Sequence, residues 1–212
     1  MDRLRLLPGV VSSLFLVSSG LALAGCADPA SSVVVLANVV PNDDCSIPAE
    51  EGSLTRGAGT FDVDVGVPYL VTPILRNGTV GNQTNPNLRL FMVKGADIEL
   101  KPTTSQASVD VINALATDRF RTSFFSQTVE PDGGIASVGF PGIAADQTAT
   151  LRGLLGTGGV TVLVSFRIFG DMDGSEISTP DFDFPVTVCN GCIADPMPDP
   201  DETVCPSANN QS

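Results

Sequence analysis

The sequence predicts an all-β fold, an antiparallel β-sandwich with one short helix. Three observations predict it. Apolar and polar residues alternate along several short runs, the period of a half-buried strand. Turn-forming residues punctuate those runs, and the 212 residues include 21 Gly and 16 Pro. Val and Thr dominate the runs while helix formers are scarce there, which excludes a helical bundle. A hydrophobic content of 42% is enough to bury a core, which excludes disorder throughout.

Each element follows from its residues. Val33-Val34-Val35-Leu36 through Val40 reads as a buried first strand, stopped by Pro41-Asn42-Asp43-Asp44. After Cys45 a polar, Gly-rich loop runs to Gly59. Phe61, Val63 and Val65 alternate with Asp62 and Asp64, a half-buried strand whose carboxylates face water. Tyr69 to Leu75 is the next strand, ended by Arg76-Asn77-Gly78, and 81–87 is a polar loop. Leu88 to Leu100 is a strand with a bulge at Gly95. Ser108 to Ala116 fits either a short helix or a strand. Arg119 to Val129 is a strand closed by the turn Pro131-Asp132-Gly133-Gly134, and Ile135 to Phe140 is a short one before Pro141-Gly142. Asp146 to Leu155 is the helix, stopped by Gly156. Val160, Val162, Val164, Phe166 and Ile168 share one face of the longest strand. Phe182, Phe184, Val186 and Val188 share one face of the last. Those two should pair antiparallel, with Asp171-Met172-Asp173-Gly174 as their turn. A helical crossing before the penultimate strand and a final hairpin resemble immunoglobulin-like sandwiches, a likeness of fold that carries no function. A barrel is the second architecture.

Composition removes several chemistries. There is no His, so Ser-His-Asp and Cys-His nucleophile pairs and His-ligated metals are excluded. A net charge of −13 argues against nucleic acid, whose phosphates it would repel. Neither Gly-x-Ser-x-Gly nor Ser-x-x-Lys occurs.

The N-terminus reads as an address. Arg3 and Arg5 precede an apolar stretch from Val10 to Ala24, too short to span a bilayer and built like a secretory signal. It ends in Leu23-Ala24-Gly25-Cys26, which resembles the lipobox of bacterial lipoproteins. The resemblance covers only the first 26 residues. It implies cleavage before Cys26, diacylglyceryl and further acylation (palmitate among the acyl chains) on that residue, and anchorage to a membrane of the cell envelope. Two or more acyl chains anchor stably. Residues 1–25 would then be the signal peptide, 26–32 a tether, 33–192 the β domain and 193–212 an acidic, Pro-rich tail. Losing residues 1–25 removes two basic residues and one acidic residue, so −13 becomes −14. Such a body stands off anionic headgroups. Its tether reaches about 20 Å when extended.

With Cys26 spent on lipid, Cys45, Cys189, Cys192 and Cys205 remain, an even number in an exported chain. Two disulfides are expected. If the first and last strands run parallel at one edge, Cys45 meets Cys189 and Cys192 meets Cys205, the preferred pairing. Asn190-Gly191 is a tight-turn pair, which keeps Cys189–Cys192 with Cys45–Cys205 open. A redox role for Cys189-x-x-Cys192 wants a helix N-terminus, which Asp195-Pro196 bars. A four-thiolate zinc site is the other alternative to the staple.

Three further patterns are weighed. Asp171, Asp173, Gly174 and Glu176 look like a fragment of a calcium loop, yet fit a hairpin turn with solvated acids better. Asp62 and Asp64 are paired carboxylates of the kind that cleaves glycosides, though the wet face of a strand explains them more simply. Gly156-Thr157-Gly158-Gly159 follows a helix and opens a strand, the reverse of a phosphate loop, so it is a connector. The expectation is a lipid-anchored, non-catalytic binding or structural domain, with an envelope protein or a glycan as partner and no cofactor. A calcium-dependent or carbohydrate-binding module using loops at the domain's pole is the alternative. A thiol–disulfide enzyme using Cys189 and Cys192 is the second.

Overall fold

The computed structural model describes residues 32–193 except 43, 83, 86, 87 and 157. The signal peptide, Cys26, nearly all the tether, Cys205 and nearly all the tail lie outside the described residues. Strands dominate: β1 (Val33–Val39), β2 (Thr55–Arg56), β3 (Gly59–Asp62), β4 (Tyr69–Val71), β5 (Pro73–Asn77), β6 (Phe91–Pro102), β7 (Phe120–Val129), β8 (Gly134–Ser137), β9 (Phe140–Ile143), β10 (Val160–Met172), β11 (Ser175–Ser178) and β12 (Phe182–Cys189). Two helices, α1 (Gln106–Leu115) and α2 (Ala145–Leu154), accompany them. No described helix is long and apolar enough to cross a membrane.

The strands form a sheet in the order β2-β1-β5-β8, a larger one in the order β3-β12-β10-β6-β7 with β11 hydrogen-bonded to β10, and a β4-β9 pair. Among the described residues every pairing is antiparallel except β12 with β3, where Val186 lies opposite Gly59 and Cys189 opposite Asp62. The large sheet is therefore mixed, which corrects the wholly antiparallel expectation. β1 sits in the other sheet, against β5, so the first strand never meets the last.

The expected pairing of the two late strands holds, running from Val160 opposite Val188 to Phe166 opposite Phe182. Their connection differs. Asp173 and Gly174 both have positive φ (52° and 78°), the twist of a two-residue hairpin, and they return the chain into β11 before β12 begins. The bulge at Gly95 is present, with the β6–β7 register shifting between Val93 and Gly95. Tyr69 to Leu75 splits at Thr72: β4 pairs with β9, and β5, opening on Pro73, pairs with β1 and β8. Phe140 to Ile143 forms its own strand through Pro141-Gly142, beyond the expected end.

Two helices replace the one expected. α1 resolves the ambiguous stretch: the Ser105 hydroxyl accepts the Ser108 N–H at 3.2 Å, and Val111, Ile112 and Leu115 are buried at helical spacing. In α2 the Gln147 Oε1 accepts the Ala144 N–H at 2.8 Å, and Leu151 is buried. One core collects side chains from both main sheets, among them Val33 and Leu75 from one and Leu100, Val164 and Val186 from the other. An aromatic run crosses it. Phe125 stacks on Phe140 at 5.2 Å, Phe140 meets Phe166 edge-on at 5.3 Å, and Phe166 leans on Phe182 at 5.4 Å.

Candidate functional site

The cysteines come first. Cys189 is bonded to Cys192, with Cα atoms 5.8 Å apart. This corrects the preferred Cys45–Cys189 pairing, whose premise, a parallel first and last strand, does not hold. Cys45 is itself in disulfide linkage, and its partner is neither of these two. Cys189 is buried at the end of β12, and Cys192 is exposed.

Asp62 is the surprise beside them. It was expected on the wet face, but it is 1% exposed. Its Oδ1 accepts the N–H groups of Asp64 and Gly191, and its Oδ2 that of Ile193, each at 2.9 Å. Burial alone would push its pKa up. The backbone donors of Ile193, Asp64, Gly191 and Cys192 outweigh that and hold the carboxyl below its usual range. The parallel β3–β12 pairing brings it there, by aligning Asp62 with Cys189. Ligand atoms of Asp62, Cys189 and Cys192 lie within 4.8 Å of one another. The sulfurs are bonded to each other and the carboxylate oxygens are occupied by amides, so this arrangement is a capped, stapled turn. A carboxylate beside the sulfurs also disfavours thiolate charge. Asp64, by contrast, is exposed, with Arg152 Nε 3.9 Å from its carboxylate.

The calcium-like acids do not converge. Asp171 pairs with Lys94 at 2.7 Å, and that hydrogen bond holds the ammonium above its ordinary pKa. Asp173 Oδ1 accepts the N–H of Arg89, just ahead of β6, at 2.7 Å. Glu176 lies opposite Asp171 on β11 and is exposed. Among the described residues these three do not form a group with ligand atoms in mutual reach. Gly156, Gly158 and Gly159 connect α2 to β10, as a connector should.

The concave feature that sequence reasoning missed lies on the outer face of the large sheet. A groove of about 490 Å³ crosses β7, β6 and β10 to the start of β12. Strand register explains it. Thr122, Asp97 and Arg167 stand side by side in one row, and Phe120, Glu99 and Ser165 in the next. Asp181 lies beyond Arg167 at the groove's end. The Thr122 hydroxyl donates to Asp97 Oδ1 at 2.9 Å, and Arg167 reaches Asp97 Oδ2 through Nη2 at 3.1 Å and Nε at 3.2 Å. Arg119 lies 3.8 Å from Glu99 and its guanidinium sits 4.5 Å over the Phe120 ring. Lys101 is 3.6 Å from both Asp181 and Asp183. The signal was present as period-two runs, the polar Asp97-x-Glu99-x-Lys101 and Ser165-x-Arg167 and the mixed Phe120-x-Thr122-x-Phe124. What the runs lack is any indication of which stands beside which. The chain matches no protein-family model and no curated protein.

Proposed function

We propose that this chain is a lipid-anchored, exported bacterial cell-envelope protein whose domain serves in binding or structure without catalysis, its two main sheets being the layers of an immunoglobulin-like β-sandwich. The observation that carries it is that all three described cysteines are in disulfides, as export into an oxidising compartment demands. The reading of Leu23-Ala24-Gly25-Cys26 as a lipobox fits this count. A lipidated Cys26 has no thiol left to offer Cys45, which leaves Cys205 as its partner. The non-catalytic part is supported by Asp62, whose oxygens are occupied by backbone N–H groups and unfit for proton transfer. It is also supported by the absence of His from the sequence. The sandwich is supported by the shared core of the two sheets.

Mass spectrometry of the non-reduced protein from a bacterial membrane fraction tests the reading. The expected result is a Cys189–Cys192 peptide, a Cys45–Cys205 peptide and an acylated N-terminal Cys26. A Cys45–Cys26 bridge, or an unmodified Cys26 thiol, overturns the anchor.

A further inference from the structure

We propose that the groove across the outer face of the large sheet binds a neutral oligosaccharide, and does so without a metal ion. This rests on the reading of the domain as a non-catalytic binder and names the class of its ligand. Charge is the first argument. The chain carries −13 overall, yet every carboxylate lining the groove has a cation at ion-pair distance. Asp97 has Arg167 at 3.1 Å, Glu99 has Arg119 at 3.8 Å, and Asp181 has Lys101 at 3.6 Å. A phosphate or carboxylate ligand would have to compete with these acids for Arg167, Arg119 and Lys101 and sit among three negative charges; Arg121, the remaining cation of the lining, stands opposite the core residue Ile98, out of the alternation that carries Asp97 and Glu99 outward. A metal ion or cationic ligand would meet the mirror-image obstacle. A neutral polyol meets neither, because each of its hydroxyls both donates and accepts and can bridge an acid to its base.

Shape is the second argument. In one row a hydroxyl, a carboxylate and a guanidinium follow one another in Thr122, Asp97 and Arg167, the spacing of adjacent strands setting the interval. Ser165, 3% exposed, puts a further hydroxyl in the floor of the other row. Phe120, 52% exposed, stands at the end of that row and offers its ring edge, and the face that Arg119 leaves uncovered, to the C–H side of a pyranose. A volume of about 490 Å³ falls within the usual range of a small-ligand site, here with a mostly polar lining and one exposed ring.

Isothermal titration calorimetry of the intact chain, with EDTA throughout, tests this against maltohexaose, cellohexaose and chitohexaose, with hexagalacturonate as the anionic comparison. At least one neutral hexamer should bind with a Kd of about 1 mM or tighter. Arg167→Ala and Phe120→Ala should each weaken it by about tenfold. Both side chains are more than half exposed (54% and 52%), so the variants should melt with the parent. The proposal is overturned if no neutral hexamer binds at about 10 mM. Unchanged affinity in both variants, or tighter binding of hexagalacturonate, also overturns it. So does a response to an extended peptide alone that shifts backbone amides along the whole of β7, which assigns the face to strand addition. Each of these failures leaves the anchor reading intact, because Cys26 acylation and the partner of Cys45 judge that separately.

Discussion

Asp62→Ala is the substitution that tests the stapled turn most directly. The carboxylate accepts three backbone N–H groups at 2.9 Å, from Asp64, Gly191 and Ile193, at a residue 1% exposed. Hydrogen bonds to a charged group contribute about 1.5–3 kcal/mol each, and a buried donor left alone costs about 1–3 kcal/mol. The full sum overshoots, because Cys192 next to these amides is exposed and water can reach part of the turn. A loss of about 3–5 kcal/mol is expected. Asp62→Asn keeps the shape but sets an NH₂ against an N–H, and should cost about 2 kcal/mol. Urea unfolding of the oxidised proteins, with unchanged slope, measures both. The pH dependence has a definite sign. The folded-state pKa lies below the unfolded value of about 3.9, so the folded protein binds fewer protons there. The gap between parent and Asp62→Asn should be flat above about pH 5 and shrink as pH falls through the folded pKa. An Ala cost under about 1 kcal/mol, or a gap that widens in acid, refutes the capping role.

Replacing Cys189 and Cys192 together by Ala should cost only about 2 kcal/mol in a urea melt, because so short a loop constrains the unfolded chain little. A loss above about 4 kcal/mol would show that the bridge does more than close this loop. Gly59→Ala places a methyl against the buried Tyr69 ring and its hydroxyl, and thermal melts should show a loss of about 1–3 kcal/mol. The Tyr69 hydroxyl has no hydrogen-bond partner among the described residues, so Tyr69→Phe should be neutral or stabilising and should relieve part of the Gly59→Ala loss. Asp171→Asn with Asp173→Asn should change stability by less than about 1 kcal/mol, since Asn tolerates the positive φ at 173 and can still accept the Arg89 N–H, and the Lys94–Asp171 pair is only partly buried. A Ca²⁺-induced rise in parent melting temperature, absent from the double variant and reversed by EDTA, would overturn the turn reading.

The parts of the fold that were legible are those where one physical period dominates. Val160 to Ile168 and Phe182 to Val188 each carry one unbroken apolar face, and a slip of one residue would expose all of it, so their pairing was readable. Asp62 was not. Its alternation with Phe61, Val63 and Val65 is that of a solvated strand face, and apart from the local Asp64 N–H the donors that make it buriable come from Gly191, Cys192 and Ile193, about 130 residues on. Local pattern assigns a carboxylate to water unless its partners are local too. The error in disulfide pairing has the same root. Tight-turn chemistry at Asn190-Gly191 competed with an assumed long-range geometry, and the local closure prevailed. The β4–β5 split at Thr72 was hidden because the run stays apolar while changing sheets.

The groove depends on a single irregularity that the sequence shows but does not interpret. Along β6 Met92 and Lys94 face out, Gly95 and Ala96 are both buried, and then Asp97, Glu99 and Lys101 face out while Ile98 and Leu100 stay in the core. The doublet at Gly95-Ala96 switches the parity of the strand. Without it, continued alternation would turn Asp97 and Glu99 inward and Ile98 and Leu100 out to water, at a cost no sheet could sustain. Gly is required at the switch because a Cβ there would press on the Ser123 carbonyl and lie 2.9 Å from the Phe169 ring. The same bulge resets the register with β7, so that Asp97 meets Thr122 and Glu99 meets Phe120. The bulged strand therefore gathers into one neutral groove polar residues that sit up to 84 positions apart in the chain, from Asp97 to Asp181.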